Sequence, residues 1–238
     1  VCHELNNKSG IMRALTIFFL SLFSLPLVLN AQSVDEMLQK VSAAIESGQH
    51  GQAVSYFRQT IGLNIDRTEM FYWTSIDKSS EISSKLAVEL ASAYRRNRSY
   101  DKAYLFYKEL LQKTPDNVDY LEACAEMQVC RGQEKEALRM YEKVLQLDAD
   151  NLAANIFLGN YYYLMAEKEK KRLDTDFKKL ASPTKMQYAR YRDGLSKVFS
   201  TGYQKARNSL RKVISQFPST EAQKTLDKIL RIEKEVNR

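Results

Sequence analysis

Residues that build turns are scarce in this chain: 8 glycines and 4 prolines among 238 residues. An all-β protein of that length needs many Gly- and Pro-rich turns, so that class is disfavoured. Histidine is rarer still. His3 lies ahead of Met12, a candidate start site, which leaves His50, and a multi-histidine metal centre is excluded by number. The three cysteines are Cys2, Cys124 and Cys130. Six positions on one helix place Cys124 and Cys130 about 240° and ~9 Å apart, beyond disulfide reach, so both are expected as small core side chains. A Gly-rich phosphate loop, a nucleophile elbow, metal-ligand spacing and a Cys/His pair are all missing. Glu134 and Glu136 fall on a predicted inter-helix turn, which suits a solvated face better than an acid/base pair. The expectation is a non-enzyme with no cofactor and no metal.

Long apolar runs are also lacking, with one exception. Met12-Arg13 precedes an apolar stretch from Ala14 to Val28, and Leu29-Asn30-Ala31-Gln32 follows. A basic start, a short apolar run and a small residue before the cut predict a secretory signal peptide over about 12–31, cleaved after Ala31. Residues 1–11 then read as an upstream extension. An uncleaved anchor is the competing reading, but the run is short for a span and contains Ser21, Ser24 and Pro26. The chain is therefore expected to be exported, periplasmic or in the cell envelope, with no integral span after cleavage.

What remains, 44% hydrophobic and 27% charged, has the balance of a folded helical protein, and it repeats. Leu90-Ala91-x-x-Tyr94, Tyr100-x-x-Ala103-x-x-x-Tyr107-x-x-Leu110-Leu111 and Pro115 map onto later positions when 34 is added. Ala103 meets Ala137, Tyr107 meets Tyr141, Leu110 meets Val144, Leu111 meets Leu145, and Asp116-Asn117 meets Asp150-Asn151. A third block opens with Asn155-x-x-Leu158-Gly159-x-x-Tyr162 and closes with Tyr203-x-x-Ala206-x-x-x-Leu210 and Pro218. A weaker one, Gly48-x-x-x-x-Ala53-x-x-x-Phe57, comes first. This pattern resembles the tetratricopeptide repeat (TPR) family over roughly residues 34–220. It departs from that pattern in having no Trp at the first signature position, Ala149 for the repeat-ending Pro, and Gln128 for Tyr. The resemblance implies an all-α, TPR-like solenoid of antiparallel helix pairs. Repeats fall at about 34–62, 84–117, 118–151 and 152–219, with a capping helix at 220–236. Small residues let paired helices approach, and large ones fill the gap to the next pair. Residues 63–83 are out of period and are expected as a loop and a short element that packs Met70-Phe71-Tyr72-Trp73.

The third repeat is interrupted. Gln128 to Ala137 spans nine positions, Tyr162 to Ala206 spans 44, so 35 extra residues sit between its two helices. Within the insert, 163–200, the sharp break is Ala181-Ser182-Pro183-Thr184, with Ser182-Pro183 read as N-cap and first turn. Tyr162, Ala166, Leu173, Phe177 and Leu180 recur at threes and fours on one side of it, and Tyr188, Tyr191, Leu195 and Val198 on the other. A long projecting helical hairpin, zipped like a coiled coil with arms of ~27 Å, is expected. One extra, degenerate repeat is the competing account and needs a turn near 166–170.

Charge is unevenly spread. Residues 32–164 hold 15 basic against 19 acidic side chains, residues 165–238 hold 19 against 9. Lys168, Lys170, Lys171, Arg172, Lys178, Lys179, Arg190 and Arg192 offer a basic surface to an acidic partner or an anionic envelope polymer or lipid. The plainer reading is a solvated helix exterior. Nucleic acid is not expected, since no nucleic-acid module is present. The family resemblance further implies a concave groove lined by the first helix of each pair. It carries that role to Lys85, Val88, Ser92, Arg95 and Arg96, then to Asp119, Glu122, Glu126, Val129 and Cys130, and then to Ala153, Ile156, Asn160, Tyr163 and Leu164. A scaffold or adaptor that binds other proteins, as a peptide segment or helix, is the function so implied.

Overall fold

The computed structural model describes residues 34–237, and no strand occurs among them. The upstream-extension and signal-peptide readings fall on 1–11 and about 12–31, outside the described residues. The helices are α1 (34–46), α2 (His50–Leu63), α3 (Ile65–Ser75), α4 (Glu81–Arg96), α5 (Tyr100–Lys113), α6 (Val118–Cys130), α7 (Glu134–Leu147), α8 (Leu152–Lys178), α9 (Lys185–Val198), a π-helix (Phe199–Tyr203), α10 (Gln204–Gln216) and α11 (Thr220–Val236). They form an all-α, TPR-like architecture of helix pairs, and the chain divides into two compact units, the first ending at Phe106 and the second starting at Tyr107.

The first unit is centred on aromatic side chains. Tyr72, Phe57 and Phe106 are fully buried with Ile82, Leu86 and Leu90. Phe106 stacks on Trp73 and Tyr94 and meets Tyr72 edge-on. The loop and short element expected over 63–83 are largely α3, longer than expected. Asn64 starts it by accepting a hydrogen bond from the Arg67 N–H (2.9 Å), which satisfies one of the amides a helix start leaves unpaired. Tyr72 faces the core while Met70 and Trp73 are about half exposed. Beside them Glu69 accepts from the Lys102 ammonium (2.7 Å) and the Tyr94 hydroxyl. Burial alone would raise the Glu69 carboxyl, but the bonds from Lys102 and Tyr94 outweigh it and hold the group below its ordinary 4.5. A depressed carboxylate stabilises the fold above its ordinary value, and that contribution is lost as pH falls through the lower folded value. Glu69→Gln is therefore expected to cost about 1 kcal/mol near neutrality. The gap to wild type should close below pH 4.5, as chemical denaturation at a series of pH values would show.

One turn recurs between paired helices. Gly48, Arg98 and Gly132 all have positive φ (71°, 58°, 73°). In each case the next N–H reaches back to a helix carbonyl: Gln49 to Ala44, Ser99 to Tyr94, Gln133 to Gln128. Such a left-handed helix end suits glycine, because a Cβ crowds the following carbonyl. Arg98 stands where the next repeat has Gly132. Arg98→Gly should therefore stabilise the chain by about 1 kcal/mol, seen as a raised thermal midpoint.

The second unit nests α6, α7 and the first half of α8 around Leu121, Ala125, Ala137, Tyr141, Val144, Ala154 and Leu158. A second cluster joins α8 to α10 and α11 through Ala166, Val198, Tyr203, Ala206, Leu210, Val213, Ala222 and Ile229. Asn117, Asn151 and Ser219 each accept from the backbone N–H three residues on and so start α6, α8 and α11. Helix α8 has no turn at 166–170 and runs to Lys178, so the insert is a hairpin rather than an extra repeat. Its arms meet through Phe177, stacked on Tyr191 with ring centres 4.3 Å apart, and through the Tyr191 hydroxyl donating to Asp174 (2.7 Å). Two details differ from expectation. The returning N-cap is Thr184, in a reciprocal capping box with Gln187, rather than Ser182. The returning arm also leans on α11, where Arg192 donates to the Val236 carbonyl (3.2 Å). Helix α9 continues into α10 through the π-helix, whose extra residue brings Gly202 directly against Ala166 of α8.

Candidate functional site

On α4 the family-derived residues lie along the side away from the aromatic core. Lys85 is exposed and ion-paired with Glu81 (2.7 Å); Val88 and Ser92 are half-buried, and Arg95 and Arg96 are exposed in the last turn. Cations there also suit the negative end of the helix dipole.

In the second unit the same register falls on α6 and α8. Asp119 is exposed, and Glu122 and Glu126 are half-buried. Glu122 is partly committed, since it accepts from the Asn151 side chain (2.8 Å) at the start of α8. Cys130, expected in the core, is exposed at the end of α6, whereas Cys124 is buried; Val129 beside it is 37% exposed. Burial pushes the Cys124 thiol up to about 12, so it stays protonated and unreactive at neutral pH. A thiol reagent added to the native protein should label Cys130 and spare Cys124, as peptide mass mapping would show. Along α8, Ile156, Asn160, Tyr163 and Leu164 follow an i, i+4, i+7, i+8 spacing that keeps them on one face. Ile156 is 41% and Leu164 64% exposed, Asn160 is exposed, and Ala153 and Tyr163 are half-buried. Two large aliphatic side chains in water, beside an amide, a phenol and nearby carboxylates, form a surface able to take apolar and polar groups together.

The basic surface is less open than its composition implies. Arg172 pairs with Glu169 and Asp176, Lys170 with Asp174 (2.9 Å) and Lys179 with Asp176 (3.0 Å). Arg192 is tied to Val236, and Arg190 lies over the Met186 sulfur (3.5 Å). Lys168, Lys171 and Lys178 are exposed.

Sequence reasoning missed a cleft of about 700 Å³ where α8 runs past the start of α7 and meets the π-helix. Leu138, Tyr161, Met165, Val198 and Thr201 line it, and Lys168 and Arg172 stand at its edge. Tyr162, also in its wall, donates to Glu142. Burial and then that bond push its phenol above the ordinary tyrosine value, so it stays a neutral donor. The only sequence signal for the cleft is the length of α8 relative to α6. Among the described residues no group of His, Cys, Asp and Glu is placed to hold a metal ion, and no helix is long and apolar enough to cross a membrane.

The tetratricopeptide repeat profile matches residues 86–118, which span α4, α5 and the turn into α6. Among solved structures, a candidate protein-binding protein from Bacteroides ovatus is 85% identical, with 85% of this chain and 98% of that one covered and a TM-score of 0.76. A tetratricopeptide repeat protein from Parabacteroides merdae is 16% identical, with 85% of this chain and 74% of that one covered and a TM-score of 0.38. No curated protein matches.

Proposed function

Because the chain belongs to the tetratricopeptide repeat family, we propose that it is a non-enzymatic scaffold of the bacterial cell envelope that holds another protein against the first helices of its repeats. Proteins of this family bind other proteins, and the Bacteroides ovatus relative is a candidate protein-binding protein. The observation that carries the reading is on α8: Ile156 and Leu164 stay 41% and 64% exposed on one face with Asn160 between them. A monomer gains nothing from keeping aliphatic side chains in water two turns apart, whereas a partner segment that covers them gains about 25 cal/mol per Å² of apolar area. Lys85, Val88, Ser92, Arg95 and Arg96 on α4 would contact the partner with charge opposite to that of Asp119, Glu122 and Glu126 on α6. The envelope location rests on the apolar run over 14–28.

Pull-down from native extract tests this. Arg95→Glu/Arg96→Glu, or Glu126→Arg, is expected to abolish capture of the bound protein, while charge changes on the hairpin leave it intact. Capture that survives every change on α4, α6 and α8 contradicts it.

A second reading is favoured by one observation, the absence of acidic residues at the end of the hairpin. In it, the hairpin tethers the protein to an anionic polymer or lipid of the envelope.

A further inference from the structure

From Phe177 to Arg192 the chain carries five basic residues, Lys178, Lys179, Lys185, Arg190 and Arg192, and no acidic one. Closer to the body of the unit, Lys170 and Arg172 of the outgoing arm are matched on the arm itself by Glu169, Asp174 and Asp176. Positive charge therefore concentrates at the tip, where Lys179 pairs with Asp176, Lys178 lies near Asp174, and the stretch from Phe177 to Arg192 holds no carboxylate of its own. The same tip exposes apolar groups: Leu180 is 37%, Tyr188 51% and Met186 64% exposed. The turn that carries them is fixed by the Thr184–Gln187 capping box (2.8 and 3.3 Å) and by Phe177 packed on Tyr188 and Tyr191.

We propose that this tip seats on the surface of an anionic lipid bilayer, with Leu180, Met186 and Tyr188 in the headgroup boundary and Lys178, Lys179, Lys185 and Arg190 on the lipid phosphates. The inference rests on the second reading above and makes it specific. A soluble acidic polymer would engage the cations and leave Met186 and Leu180 in water. A bilayer surface satisfies both at one level, since it is negatively charged, apolar a few ångströms below, and favourable to tyrosine at the boundary between. The contact is peripheral, because no described helix can span. A preformed, capped turn loses little conformational freedom on docking.

Vesicle co-sedimentation of the full chain tests it, with phosphatidylcholine alone, phosphatidylcholine mixed with phosphatidylglycerol, and soluble polyglutamate as a competitor. Binding is expected with phosphatidylglycerol only and should weaken with salt. Lys178→Gln/Lys179→Gln/Lys185→Gln should weaken it about 100-fold, at about fivefold per cation near such a surface. Met186→Ser/Tyr188→Ser should weaken it roughly tenfold. All five positions are exposed, and Tyr191 stays stacked on Phe177 when Tyr188 is replaced, so helical circular dichroism should be unchanged in both variants. If the lysine variant loses binding but Met186→Ser/Tyr188→Ser does not, and polyglutamate competes fully, the bilayer seat is overturned while the broader anionic reading of the hairpin stands. Binding to neither vesicles nor polyglutamate overturns both.

Discussion

Tyr203→Ala is expected to lower the stability of the second unit by about 3–5 kcal/mol, the range for deleting a fully buried aromatic ring. Tyr203 is 1% exposed at the join between the π-helix and α10. Its ring lies among Ala166, Val198, Ala206 and Leu210, with Phe199 and Tyr163 6.3 and 6.1 Å away between ring centres. Its hydroxyl donates to Glu167 (2.5 Å). Burial and that bond raise its phenol above the ordinary tyrosine value, so the donor persists throughout the physiological range. Tyr203→Phe separates the two contributions. It keeps the ring and loses one bond to a part-exposed carboxylate, so about 1 kcal/mol is expected. Urea unfolding followed by circular dichroism measures both. If Tyr203→Ala costs less than the phenylalanine change, the ring is not the keystone of the hairpin base.

Gly202→Ala has the next largest expected effect, and for a different reason. A methyl group there would lie 2.6 Å from the Ala166 Cβ, 3.3 Å from its Cα and 3.4 Å from the Tyr162 carbonyl oxygen. Two of those atoms are backbone, so α8 itself must move, and overpacking of this kind costs about 1–3 kcal/mol. The gain in helix propensity from Gly to Ala, at most about 1 kcal/mol, offsets part of it. Gly159→Ala is the control. There the added methyl meets the Leu210 Cδ2 at 2.9 Å and Cγ at 3.0 Å, side-chain atoms of a buried residue that must shift by a few tenths of an ångström, so a smaller loss than at Gly202 is expected. Adding Ala166→Gly to Gly202→Ala removes only the 2.6 Å contact and places a glycine within α8, so it should recover part of the loss.

The stacked core was legible because packing residues are tied to the helix period. Ala103 and Ala137, aligned 34 apart, are both fully buried, and Tyr107 and Tyr141 are 6% and 5% exposed. The hairpin was legible too, since a sequence with one break in a long helical stretch has one place to reverse. Helix α3 was not. Its start depends on a single asparagine side chain, and Asn64 reads equally well as part of a loop. The exposure of Cys130 follows from its place at the last residue of α6, where register alone does not say which side chains a neighbour will cover. The neutralised cations were readable and were overlooked: Glu169 and Arg172, Lys170 and Asp174, Asp176 and Lys179 stand three or four apart, the spacing of helical ion pairs. The cleft beside α7 had no pattern to find. It is the space left when one helix outlasts its neighbour, and that depends on the placement of three elements rather than on any motif.

Site-specific photo-crosslinking in the native cell tests the account most directly. A photoreactive residue at Asn160, on the face that carries Ile156 and Leu164, is expected to yield a discrete protein adduct. The same residue at Arg139, exposed on the second helix of its pair, is expected to yield none. Adducts from Arg139 with Asn160 silent would place the partner on the opposite side of the repeats and contradict the reading.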